Sequence, residues 1–413
     1  MISTHLDHCD LRALVVLSRS TWRSLLPEYL RRRGLVLDDN GPEGLKVQLC
    51  DLGGYRSLGF WSAVRDFRPP KQMYCSIPCD IQEARSAMGC LIHFLLDPSN
   101  TRNLRGFHLS LHGSNPLLLT SYFIKLQRIL HALPITELFI SGYSSVDYLP
   151  PSIALRRGSR FPPPVLTSLD ITSDLAFTPG LVRITMGILK HSPIKTLAIF
   201  MVSLRPPQWS TLLGELNMMS LEDVELEGDI PQSSFMRFLA KHERLKTICI
   251  KCDVPSDCIQ PSRSRRQCQP FLPHLRSLDA PLAICCDIAE RLGNSPRLDE
   301  LKVEMGKHHP QDPIFRRLLG TVMHFRKLDH LGVRLLPNFS SAMPQSSLDG
   351  HDWDGYPARE LNQIRVLKFY SDGQLSPNDI VRPHYLSSFL QLPYLGDRTQ
   401  CVHMWDLSRW WTW

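Results

Sequence analysis

The sequence predicts an irregular α/β solenoid, in which a layer of parallel strands is backed by outer helices and capped by a short N-terminal helical segment. Three observations predict it. An apolar pattern of the form apolar-x-x-apolar-x-apolar returns ten times between residues 104 and 369. Its members are Leu104/Phe107/Leu109, Ile135/Leu138/Ile140, Leu166/Leu169/Ile171, Ile194/Leu197/Ile199 and Leu221/Val224/Leu226. They continue as Leu245/Ile248/Ile250, Leu275/Leu278/Ala280, Leu298/Leu301/Val303, Leu328/Leu331/Val333 and Ile364/Leu367/Phe369. Leading residues lie 23 to 36 positions apart. A drifting period of that size marks stacked units. Secondly, most of these motifs are followed by a segment of helical periodicity. Thirdly, no single unit holds enough apolar surface to fold alone, so neighbours must stack to bury it.

The elements follow in chain order. Asp10 can cap a helix carrying Leu11, Leu14, Val15 and Leu17. Ser20 can cap a second helix, in which Pro27 forces a kink or break and which Gly34 stops. Leu35–Leu37 reads as a short strand. Gly41-Pro42 and Gly53-Gly54 mark turns, and the alternation of Leu45, Val47 and Leu49 suggests a degenerate first repeat. Residues 80–96 form an amphipathic helix with Ala84, Met88, Leu91, Ile92 and Leu95 on one face. Further helices are expected over 117–131, 181–190, 209–218, 233–241, 283–292 and 313–325. Within each motif the three apolar positions point into the core between strands and helices. The intervening positions point outward on the strand face.

The expected organisation is therefore a helical segment over 1–34, a cap and degenerate repeat over 35–100, the repeat array over 101–375, and a C-terminal cap with a Trp-rich tail over 376–413. Long insertions interrupt the array at 149–164, 252–273 and 337–360. Four of the eight tryptophans fall in the last nine residues.

Composition narrows the function. Of 413 residues, 43% are hydrophobic and 21% charged, as in a folded chain and unlike a disordered one. The net charge of +7 is small for this length and its basic residues are scattered, which argues against nucleic-acid binding. No apolar run reaches the ~18 residues of a membrane helix, and the opening MISTHLDHCD lacks the form of a signal peptide. The protein is expected in the cytoplasm or nucleus, as a monomer outside any complex, with its twelve cysteines reduced.

The ten motifs resemble the leucine-rich-repeat superfamily over roughly residues 101–375, in its longer, irregular intracellular form. That family places Asn or Cys eight residues after the leading Leu to bond neighbouring turns. Here Asp174, Asp229, Asp253 and Asp372 occupy that place in four units, so the resemblance implies a partial ladder and irregular curvature. The segment His5-Leu6-Asp7-x-x-Asp10-Leu11-x-x-Leu14, with Ser18-Arg19 and Thr21-Trp22-Arg23, resembles the second half of a fungal F-box. Together the two resemblances imply a substrate-recognition subunit of a Skp–cullin–F-box ubiquitin ligase. On that view Leu6, Asp10, Leu11, Leu14 and Trp22 touch the Skp-family adaptor, and the repeats choose a target protein. The Leu-Pro helix that opens an F-box has no counterpart in this sequence, so adaptor docking is expected only if such a helix precedes Met1. Without it, the chain reads as a repeat scaffold with no ligase link, its first two helices serving as the cap.

Enzyme signatures are absent: there is no GxxxxGK[ST], HExxH or GxSxG. His308-His309 are adjacent and diverge by about 100° on a helix, so they do not share a metal. Cys249-x-x-Cys252, with Cys258 and Cys268, lacks the second close pair of a zinc site. Neither a metal, a cofactor nor a catalytic residue is expected. Arg263, Arg265 and Arg266 read as a solvated loop tip. Partner contacts are expected at outward strand positions: Glu222, Asp223, Glu225 and Glu227; Lys246 and Lys251; Asp299, Glu300, Lys302 and Glu304; and Arg365, Lys368 and Tyr370. Such a banded surface of acid and base sets partner choice.

Overall fold

The computed structural model describes residues 28–38, 45–63, 69–112, 119–143, 165–178, 181–251, 271–292, 297–305, 313–322, 327–335, 366–371 and 401–406, with Leu25, His324 and Phe325. Leu6, Asp10, Leu11, Leu14 and Trp22 lie outside them, as do Arg365, Asp253, Asp372 and the greater part of the three insertions. The chain forms two compact units, residues 1–221 and 222–413.

The first unit opens with helical residues 28–32, which Gly34 ends at a φ of 76°. A Cβ there would lie 2.2 Å from Asp51 Oδ1, so glycine is required both by conformation and by space. Strands follow at Leu35–Asp38 (β1), Lys46–Leu49 (β2), Gln72–Ile77 (β3), Gly106–His112 (β4), Glu137–Tyr143 (β5), Ser168–Thr172 (β6) and Thr196–Ile199 (β7). Their order in the sheet is their order in the chain. Only β1–β2 is antiparallel; the pairs from β2–β3 to β6–β7 are parallel. Helices join them at Leu52–Ala63 (α1), Ile81–Leu96 (α2), Thr120–Ala132 (α3) and Val182–His191 (α4), and Pro206–Glu215 (α5) follows β7.

The second unit repeats the plan. Its strands are Asp223–Glu227 (β8), Thr247–Lys251 (β9), Ser277–Pro281 (β10), Glu300–Glu304 (β11), His330–Leu335 (β12), Val366–Ser371 (β13) and Cys401–Asp406 (β14). All neighbouring pairs are parallel and in chain order. Gln232–Leu239 (α6), Leu282–Leu292 (α7) and Pro313–Val322 (α8) supply the helices. Parallel neighbours in chain order, with helices in many of the described connections, make a solenoid-like α/β arrangement in each unit.

A single backbone device sets the stacking. In most of the described repeats one carbonyl just before the strand accepts two successive N–H groups of the next repeat. Lys71 O takes those of Arg105 and Gly106, Arg105 O those of Thr136 and Glu137, and Thr136 O those of Thr167 and Ser168. In the second unit Glu222 O, Lys246 O, Arg276 O and Asp299 O do the same. The device uses no side chain, which is why repeats of such different sequence share one geometry.

Apolar positions then align in ladders. Val224, Ile248, Leu278, Leu301 and Leu331 are register partners and nearly or fully buried. Phe107, Leu138, Leu169 and Leu197 do the same in the first unit. The second and third apolar positions of all ten motifs lie on strands, β4 through β13, and the leading position precedes the strand. Two parallel strands precede them: β2, where Leu45, Val47 and Leu49 alternate, and β3, whose core residues are Met73, Cys75 and Ile77.

Local chemistry explains the helix ends. Asp80 accepts the N–H groups of Gln82 and Glu83, both at 2.9 Å, and so starts α2. On that helix Phe94 is buried and Ile92 only half-buried, so the buried stripe is rotated slightly from the expected one. Helix α5 starts at Pro206, three residues before the expected position. Prolines suit a first helical turn, and Gln208 Oε1 accepts the Arg205 N–H at 2.8 Å. Among the expected ladder aspartates, Asp174 accepts the Ser203 N–H of the next turn at 2.5 Å, whereas Asp229 is exposed.

Candidate interaction face

Alternation along each strand puts one set of side chains into the core and the other outward. In β8 the pattern runs Asp223 half-buried, Val224 buried, Glu225 half-buried, Leu226 buried, Glu227 half-buried, and β9, β10 and β11 repeat it. Parallel register turns the outward set into three rows. The first is Asp223, Thr247, Ser277, Glu300, His330. The middle row is Glu225, Cys249, Asp279, Lys302, Gly332. The third is Glu227, Lys251, Pro281, Glu304, Arg334. Over β8–β12 these positions hold six carboxylates and three Lys or Arg side chains. The face is acidic on a chain whose net charge is +7.

The charges are knitted together across strands. Lys251 Nζ reaches diagonally to Glu225 Oε1 at 2.9 Å, and Lys246 pairs with Glu222 at the edge of the rows. Lys302 pairs with Glu300 on its own strand at 3.1 Å, and Ser277 donates to the same carboxylate at 3.0 Å. Arg334 lies 3.8 Å from Glu304 and 3.9 Å from Asp279. Burial pushes the Asp279 carboxyl above its ordinary value, against the attraction of Arg334, Lys302 and Lys251. Burial also pushes the Cys249 thiol up to about 12, helped by Asp279 and Glu225, so it stands as a neutral thiol at physiological pH. A protonated thiol is a poor nucleophile and a poor metal ligand. Burial works to raise the Glu300 carboxyl, but the hydrogen bond and charge of Lys302 outweigh it and hold the group below its ordinary value.

The predicted residues are thus brought together as follows. Asp223, Glu225, Glu227, Lys251, Glu300, Lys302 and Glu304 share one strand face. Glu222, Lys246 and Asp299 occupy the position before each strand, where the carbonyl forms the stacking bond. Lys368 and Tyr370 continue the middle and third rows by the register of β12 with β13. Asp279 and Arg334 were not singled out, although they stand at the same motif positions in the seventh and ninth units. The rule that found Glu225 finds them too.

The first unit carries a different middle row: Gln48, Tyr74, His108, Phe139, Asp170 and Ala198. Tyr74 and His108 stack with centroids 4.1 Å apart and planes 22° apart. His108 and Phe139 follow at 5.4 Å and 36°. Burial, and then the charge of Lys46, lowers the His108 pKa and keeps the ring neutral. Sequence reasoning missed Tyr74 because β3 has no leucine, its core letters being Met73, Cys75 and Ile77, whereas His108, Phe139 and Asp170 stand at the same motif position as Glu225 and were passed over for lack of a charge pattern.

Among the described residues, no group of three or more His, Cys, Asp or Glu side chains is placed to hold a metal ion. No helix of the described residues is long and apolar enough to cross a membrane. Compared with protein-family models and with curated protein sequences, the chain matches none.

Proposed function

We propose that this protein is an interaction module built of irregular leucine-rich repeats, and that it serves as the substrate-recognition subunit of a Skp–cullin–F-box ubiquitin ligase. The observation that carries the interaction reading is the register of outward residues. It assembles scattered single letters into rows of charge on the strand face of the second unit and a row of rings on that of the first. Repeats of this kind offer area rather than a deep pocket. Ubiquitin transfer would belong to other subunits, and the chain would bring no catalytic residue, metal or cofactor. The ligase link rests on the F-box-like letters Leu6, Asp10, Leu11, Leu14 and Trp22. A repeat scaffold with no ligase link is the second reading, since the outward rows of the strand faces need no adaptor. Either role places the protein in the cytoplasm or nucleus.

Co-purification with a Skp-family adaptor tests the assignment. The chain is expressed as it is and with an N-terminal extension that supplies the Leu-Pro helix. Adaptor recovered with the extended chain, and lost on Leu11→Asp, supports the ligase subunit. Failure of both forms to retain the adaptor leaves the scaffold.

A further inference from the structure

We infer that the N-terminal border of the second unit's strand face seats an acidic helix of a protein partner, along a row made by Arg244, His274, Arg297 and Lys327. The inference rests on the interaction reading above and adds a contact at the border of the face which that reading uses. The four residues lie 30, 23 and 30 positions apart in the chain. Each stands three places before a register partner, since Thr247, Ser277, Glu300 and His330 pair in that order. Register therefore lines them up ahead of β9, β10, β11 and β12, at the strand spacing of ~4.8 Å. The turns that carry them are anchored. The leading leucine after each one is fully buried, as Leu245, Leu275, Leu298 and Leu328. In three of the four the leucine N–H closes a turn on the carbonyl three residues back, of His242, Leu272 and Phe325. Arg244, His274 and Lys327 thus hold one place in one kind of turn.

All four residues are exposed, and among the described residues none of their side chains makes an ion pair or a hydrogen bond. The turn itself does not call for a base: the same place in the first unit holds Asn103, Pro134, Val165 and Pro193. The place just before each strand carries both signs. Lys246 pairs with Glu222, Arg276 and Asp299 are exposed, and Asp329 bonds His330. A border with three Arg or Lys side chains in one row beside an acidic face sets the direction from which a charged partner approaches. Spacing then selects the form of that partner. Three steps of the row cover ~14 Å. Carboxylates at i, i+4, i+7 and i+11 of a helix share one face and cover ~16 Å, a difference that long Arg and Lys side chains absorb. An extended segment, taken in two-residue steps, covers ~20 Å and falls out of step. A nucleic-acid backbone carries charge at every nucleotide and would meet exposed Asp299, two residues from Arg297. A helix acidic on one face alone avoids that repulsion.

The test is fluorescence anisotropy of labelled probes titrated with the full chain. The first probe is a capped alanine-based helical peptide with glutamates at i, i+4, i+7 and i+11. One control carries glutamine at those places, and a second carries the same number of glutamates spread round the helix. A single-stranded DNA oligonucleotide is the last probe. Saturable binding of the first peptide is expected, at least about tenfold tighter than either control and weakening as salt is raised. The triple variant Arg244→Gln, Arg297→Gln, Lys327→Gln should lose about tenfold in affinity for it. The melting temperature should stay in place, because all three residues are exposed. No saturable binding, equal binding of the spread control, or an unaffected triple variant would overturn the inference. Tighter binding of the oligonucleotide through the same three residues would overturn it in favour of nucleic acid. If the peptide fails to bind while the chain still captures protein through Glu225 and Glu227, this contact is wrong and the interaction reading stands. If the peptide binds the row while reversal of Glu225 and Glu227 leaves protein capture unchanged, the contact stands and the reading of the strand face fails by itself.

Discussion

Reversing the charge of Glu225 separates folding from recognition. Its carboxylate lies 2.9 Å from the Lys251 ammonium, with about 40% of each side chain exposed (40% and 38%). At that distance the Coulomb attraction is about 1.4 kcal/mol at the dielectric of water. Ordering two flexible side chains takes much of it back, leaving roughly 0.2–1 kcal/mol. Glu225→Lys removes this and adds a repulsion of similar size, so the second unit should lose about 0.5–2 kcal/mol. Lys251→Glu should cost about the same. The double swap restores an opposite pair and should return stability to within about 0.5 kcal/mol of the parent. Denaturant unfolding of the four proteins closes the cycle. Partner capture should behave differently. In the swap the acid and base of neighbouring rows exchange places, so a partner that reads the pattern is not recovered. A swap that restores both stability and capture would refute the view that outward charge on β8 and β9 reads a partner. A swap that restores neither would refute the pairing itself.

Four further outcomes follow from the same geometry. Leu278 is fully buried between Ile248 and Leu301, so Leu278→Ala should cost about 2–5 kcal/mol by denaturant unfolding. Gly142 has a φ of 143° and a Cβ there would sit 1.8 Å from Leu111 O, so Gly142→Ala should destabilise the first unit by at least about 1–3 kcal/mol. Burial raises the folded pKa of Asp279, so its charged form is a net cost that sets in as pH rises above the ordinary carboxylate value and is complete above the raised one. Asp279→Asn should therefore match or exceed the parent in stability at neutral pH, and the difference should shrink as pH falls toward about 4, read by unfolding at several pH values. Asp174→Ala should lose about 0.5–1.5 kcal/mol, because the Ser203 N–H loses its acceptor, and Asp174→Asn should retain most of it.

The strand layer was largely legible in the sequence because burial there depends on one simple period. Leucine-type letters at fixed spacing marked β4 through β13 without reference to any neighbour. The pattern fades where the core uses other letters. Met73, Cys75 and Ile77 fill the same positions in β3, yet Met and Cys carry little pattern signal, and so the Tyr74 ring beside them went unnoticed. Strand β14 lies within the stretch read as a C-terminal cap, where Cys401–Asp406 has no leading leucine. Helix starts moved where proline and side-chain caps decided them, as at Pro206. Candidate site residues were legible one strand at a time, whereas their pairing was not. That Lys251 reaches Glu225 rather than its direct register partner Glu227 depends on side-chain length and strand twist, which no spacing rule encodes.

The central claim is that partners are met on the strand faces and that the outer helices serve the fold. Site-specific photocrosslinking measures this directly. A benzophenone side chain is placed at Glu227 on β8 and, in a separate protein, at exposed Arg237 on α6. Both proteins are irradiated in extract and the adducts identified by mass spectrometry. The account predicts a discrete set of protein adducts from Glu227 that is absent from Arg237 and suppressed by Glu225→Lys. Discrete adducts from Arg237, with none from Glu227, would contradict it.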